Sequence, residues 1–150
     1  MTTTNHLYDQ SGVSLLEVMI TTVIITVALL GLAGLQTTSI NFNQGAYHRS
    51  QASFLISDIM DRIRANTGVN ANLYVNAIPV QTAACLTPDG CTPIQMVGHD
   101  LFEWQQAITT ALPNGGAGAI AANQNTIQIT INWTDGRQQQ NPRLAVDFIP

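Results

Sequence analysis

Hydrophobic positions fall into three regimes along the 150-residue chain. From Val13 to Leu35 they are nearly continuous: VSLLEVMITTVIITVALLGLAGL, 23 residues in which Glu17 is the one charge. Such a run predicts a helix roughly 35 Å long, enough to cross a hydrocarbon core. Its hydroxyls, on Ser14, Thr21, Thr22 and Thr26, are expected to bond back to carbonyls one turn earlier, which removes their donors from lipid. Gly31 and Gly34 are consistent with bending, with close helix approach or with local permissiveness. A second regime follows, with Ala52, Leu55, Ile56, Ile59 and Ile63 spaced to make one apolar helical face. The helix is expected to continue over residues 36–68, with Asn66 and Gly68 as its stop. On its surface Asp58 and Arg62 stand four apart and are expected to pair.

Residues 67–99 read as loop. Asp100 and Glu103 then have capping-box spacing, and Leu101, Trp104, Ile108 and Leu112 line one side of a short helix ended by Pro113-Asn114-Gly115-Gly116. Trp104 reads as a packing residue. Residues 118–122 suggest a short strand. In the third regime Ile127, Ile129, Ile131 and Trp133 alternate with polar residues, and Leu144, Val146 and Phe148 repeat the alternation after an Asp135-Gly136 turn. These are two half-buried strands expected to pair antiparallel, across a loop containing Arg137. The order is helix, mixed region, strands: an α+β fold.

Composition sharpens this picture. Only 9% of residues are charged, against about 25% in an average soluble domain, while 45% are hydrophobic and mean hydropathy is +0.13. The net charge is -4, and the five basic residues are all arginine. A charge-driven disordered chain is excluded, as is a nucleic-acid binder working through a basic patch. The apolar excess sits mainly in the first segment.

Glu17 is the charge placed where solvation costs most, on the order of 3 kcal/mol at a bilayer centre. Either it reaches water at the interface, or it is protonated, or it meets a cation. The nearest arginine in sequence is Arg49. The preceding residues, MTTTNHLYDQSG, hold no lysine or arginine, unlike the basic start of a secretory signal. Cleavage after Gly12 would leave the apolar run on the mature chain. It would also create a new α-amino group on Val13, four residues from Glu17.

Cys85 and Cys91 flank Thr-Pro-Asp-Gly in CLTPDGC, a strong turn sequence that brings them together. Outside the cytoplasm a disulfide is expected, and in a reducing cytosol two free thiols. A metal site with His99 is the alternative, but a second ligand pair is missing. His6, His48 and His99 read as isolated surface residues. There is no Walker motif, dinucleotide fingerprint or zinc-protease motif, and no recognisable nucleophile motif. No catalytic residue, metal or cofactor is assigned.

Gly12-Val13-Ser14-Leu15-Leu16-Glu17-Val18-Met19, followed by a long apolar helix, resembles the class III signal of type IV pilins and pseudopilins. The resemblance implies that a prepilin peptidase cuts between Gly12 and Val13 and methylates the new amine on Val13. It also implies that Glu17 pairs with that amine, in the same subunit or the next. A further set of segments resembles the PilV family of minor pilins. They are Arg49-Ser50-Gln51-Ala52, Asp61-Arg62-Ile63-Arg64-Ala65-Asn66, Leu101-x-x-Trp104 through Leu112-Pro113-x-Gly115-Gly116, and Ile131-x-Trp133-x-Asp135. That family implies a long N-terminal helix, transmembrane in its first half and amphipathic in its second, packed on a C-terminal antiparallel sheet.

The domain organisation expected from this resemblance is a cleaved leader over residues 1–12, a membrane and assembly helix over 13–35, and a periplasmic domain over 36–150. The function implied is structural: a minor pilin of the bacterial inner membrane and then of the pilus, acting in assembly initiation at the tip. Its partners would be prepilin peptidase, other minor pilins, the major pilin and a tip adhesin, with no nucleic acid. The alternatives are a type II secretion pseudopilin, a DNA-uptake minor pilin, and a membrane-anchored periplasmic binding module that never polymerises.

Overall fold

The computed structural model describes residues 12–134 and 141–149. The elements are α1 (Leu15–Ala65), two 3-10 turns (Ala71–Tyr74 and Ala83–Leu86), α2 (Pro93–Ala111), β1 (Ala117–Asn123), β2 (Thr126–Asn132) and β3 (Arg143–Phe148). The chain divides into two compact units, residues 1–42 and 43–150, and α1 contributes to both.

The first unit is the apolar part of α1. Its Leu, Ile, Val and Met side chains are exposed along the whole run. The described residues contain one helix long and apolar enough to cross a membrane, and its most apolar window has a mean hydropathy of 2.4. Thr21 and Thr22 both donate to the Val18 carbonyl, and Thr26 donates to that of Thr22. These bonds let hydroxyls sit in an apolar run without an orphaned donor. Ser14 differs from the sequence expectation. It precedes the helix, so it has no earlier turn to bond to, and its own carbonyl accepts the Glu17 and Val18 N–H groups.

In the second unit a single core joins α1, α2 and one face of the sheet. From α1 come Ala52, Ile56, Ile59 and Ile63, with Leu55 partly buried. From α2 and its C-cap come Val97, Leu101, Trp104, Ile108 and Leu112. The sheet is antiparallel with order β1-β2-β3. Ile127, Ile129 and Ile131 of β2 are essentially inaccessible to solvent, as period-two alternation on a central strand requires. The segment expected as a short strand at 118–122 is β1, two residues longer and turned into β2 at Gln124, whose φ is 53°. The expected Asp135-Gly136 turn and Arg137 lie outside the described residues.

Residues 67–99 are more structured than the sequence suggested. Helix α2 begins at Pro93, not near Asp100. Thr92 and Gln95 make the reciprocal capping box, with Pro93 at the first helical position, where a missing N–H costs nothing. Asp100 and Glu103 lie inside the helix and have other partners. The stop of α1 is as expected at Asn66: its side chain donates to the Tyr74 hydroxyl and to the Pro93 carbonyl. Gly68 allows the chain to pass Pro93, whose Cγ would stand 2.5 Å from an added Cβ.

Candidate assembly site and the polar clamp of the second unit

Gly12, Val13 and Ser14 precede α1 and are exposed. Glu17 lies in the first helical turn, one turn beyond Val13. A carboxylate there is favoured by the unpaired N–H groups of the helix start. Among the described residues Glu17 has no ion-pair partner; the ion pairs all belong to the second unit.

The second unit has a polar cluster that the sequence did not announce. Arg62 does pair with Asp58 (Nε–Oδ2 3.0 Å), but its Nη1 also reaches Glu103 Oε2 at 2.7 Å and Asp100 Oδ1 at 3.3 Å. One guanidinium thus ties α1 to α2 through two successive carboxylates. Asp100, only 7% exposed at its side chain, also accepts the Tyr74 hydroxyl at 2.7 Å. Every member of this group has a partner, which is what makes a buried charge tolerable. The Arg62 hydrogen bond holds the Glu103 carboxyl below the usual carboxylate range. Burial works to lower the Arg62 pKa, but the bond to Glu103 and the surrounding carboxylates raise it overall. Burial pushes the Tyr74 phenol well above its ordinary value, while donation from Asn66 works the other way.

His99 is not the isolated surface residue its sequence context suggested. It is buried, its Nδ1 accepts the Thr82 N–H at 3.3 Å, and its Nε2 stands 3.4 Å from Glu103 Oε1. That pairing assigns the ring proton to Nε2. The signal available was position: His99, Asp100 and Glu103 share a helical face once α2 is started at Pro93. Cys85 and Cys91 are joined in a disulfide, so neither offers a thiolate to a metal alongside His99. Trp104 is a packing residue with a polar handle; its Nε1–H donates to the Leu55 carbonyl at 2.8 Å.

Two family models match the chain. Residues 7–33 match the prokaryotic N-terminal methylation motif, and residues 34–102 match type IV pilin Tt1218. The first takes in Gly12, Val13 and Glu17. The second takes in the rest of α1, the disulfide loop and α2 as far as Phe102, and it ends before the sheet. No curated protein and no solved structure matches the chain. Anchoring in a membrane and incorporation into a pilus are what the motif and the apolar helix together support. The two adjoining matches, a methylation motif followed directly by type IV pilin Tt1218, together support a type IV pilin family, a structural and not an enzymatic one.

Proposed function

We propose that this chain is a minor pilin of a type IV pilus, of the PilV kind, and that it takes part in starting filament assembly at the tip. The observation that carries the reading is the position of Glu17. It is one turn from Val13, within an otherwise uncharged apolar run, at the start of a helix that continues into the pilin domain. A prepilin peptidase cuts after Gly12, where the backbone is exposed and not yet helical, and methylates the amine left on Val13. The domain from residue 36 lies in the periplasm. The Cys85–Cys91 disulfide suits an oxidising compartment.

The apolar helix is stable in lipid while the protein is a monomer and in a filament core once it is a polymer. Glu17 supplies the register. Its carboxylate is costly among hydrocarbon and is relieved by a methylated amine of the same subunit or the next. The partners in this scheme are the peptidase, other minor pilins, the major pilin and a tip adhesin. Mass spectrometry of the mature protein tests the proposal at its root. The expected N-terminal peptide begins with N-methylated Val13. A chain that retains Met1, or that starts at any other residue, overturns it.

A further inference from the structure

The two edges of the sheet are finished differently. Trp133 donates its N–H to the Pro142 carbonyl at 3.2 Å. With the β2–β3 register, this sets the alternation along β3. Pro142, Leu144, Val146 and Phe148 turn their backbone groups toward β2, and Arg143, Ala145 and Asp147 turn theirs outward. On the opposite edge the approach to β1 and its first outward groups are partly capped. Gln105 accepts the Gly118 N–H at 3.1 Å and donates to the Gly116 carbonyl at 3.3 Å. Asn76 donates its N–H to the Ile120 carbonyl. Along β3, no described residue bonds the outward N–H and C=O groups of Arg143, Ala145 and Asp147. A row of such groups is a template for another extended backbone.

We propose that the β3 edge pairs with the same edge of a second copy of this chain, antiparallel and centred on Ala145, so that two three-stranded sheets become one. The order of side chains selects this partner. In the two-fold register Ala145 faces Ala145 of the second copy, Arg143 faces its Asp147, and Asp147 faces its Arg143. Every outward residue is then in a hydrogen-bonded pair, which exchanges two bonds, and each opposite-charge pair is a favourable cross-strand neighbour. On the other face Leu144 meets Val146. A parallel partner in register would set Arg143 against Arg143 and Asp147 against Asp147.

Both charged side chains are already held on the outer face. Arg143 donates to Gln128 and Thr130, and Asp147 accepts from Asn123 and Gln128. The interface is isologous: one patch complements itself, and the assembly closes at two.

The test uses the full chain in its membrane. The native cysteines are bonded to each other, so Ala145→Cys adds the one free thiol. Facing Cα atoms in a hydrogen-bonded antiparallel pair are about 5.5 Å apart, within disulfide reach. Mild oxidation is expected to give a reducible homodimer, with Ala122→Cys on β1 as the background. Adding Arg143→Asp lowers the dimer yield by about five-fold, and combining it with Asp147→Arg restores the yield. Persistence of the Cys85–Cys91 bond and of native tryptophan fluorescence verifies folding in each variant. A yield no greater than that of Ala122→Cys overturns the proposal. So does a cross-link to a different protein, or a dimer indifferent to the charge reversal.

Discussion

The backbone of Gly118 on β1 lies directly against the indole of Trp104 on α2: a Cβ placed on Gly118 would stand 2.4 Å from Cη2 of that ring. The ring has little freedom to retreat, because its Nε1–H is bonded to the Leu55 carbonyl of α1. The added methyl would also meet Ile108 Cδ1 at 2.6 Å. Gly118→Ala is therefore expected to destabilise the second unit by about 1–3 kcal/mol, the usual cost of overpacking. Urea unfolding of the detergent-solubilised chain, followed through its two buried tryptophans, measures this. An unchanged midpoint would show that β1 can move away from α2.

Arg62 is the cation that makes Asp100 tolerable in the interior. Removing it with Arg62→Leu leaves a carboxylate that is almost fully buried, with Tyr74 as its remaining partner. The expected loss is about 3 kcal/mol, as for other broken buried pairs. Arg62→Leu combined with Asp100→Leu should recover part of that loss, since the uncompensated charge is gone. A double variant as unstable as the single one would show that the packing of the arginine stem matters more than the charge.

The clamp is acid-sensitive through Glu103. Its folded-state pKa is depressed from the ordinary 4.5 by the Arg62 hydrogen bond. Its contribution to stability is thus complete above that value and is lost as pH falls through the lower folded-state value. Glu103 is partly exposed, so solvent screening keeps the effect modest. Thermal unfolding between about pH 7 and pH 3 should show a decline on the acid side that is shallower in Glu103→Gln. Parallel curves for the two proteins would place the acid sensitivity elsewhere.

Glu17→Ala removes a charge and leaves the helix and its apolar length unchanged. Membrane insertion is expected to remain intact, while recovery of the protein in sheared filaments falls about ten-fold, the effect of roughly 1.4 kcal/mol lost from each subunit's docking. Quantitative immunoblotting of membrane and sheared fractions separates the two effects. Equal recovery of mutant and wild type would remove Glu17 from assembly.

Much of the scaffold was legible in the sequence because it depends on local period. The apolar run, the Ala52 to Ile63 face, the Trp104 to Leu112 face and the β2 and β3 alternation are each visible without knowing what they pack against. The turn sequence CLTPDGC likewise brings its own cysteines together. The start of α2 was also written locally, as Thr92-Pro93-Ile94-Gln95. Asp100 and Glu103 imitate the same capping spacing a few residues later, and sequence pattern alone does not rank the two.

What tertiary structure decided is where the polar groups go. Asp58 and Arg62 are four apart on one helix, so that pair is predictable from α1 alone. Asp100 and Glu103 join it only because α2 packs across α1, and Tyr74 and Asn66 only because the chain between the helices turns back onto them. Sequence by itself determined the apolar helix and the single charge near its start, since both follow from solvation along the chain. Tertiary structure alone decided that His99 is buried, that Gly118 must lack a side chain and that the outward backbone groups of β3 meet no partner among the described residues. Each of these depends on which surfaces meet, and hydrogen-bonding and steric partners far apart in sequence are chosen only when the chain folds.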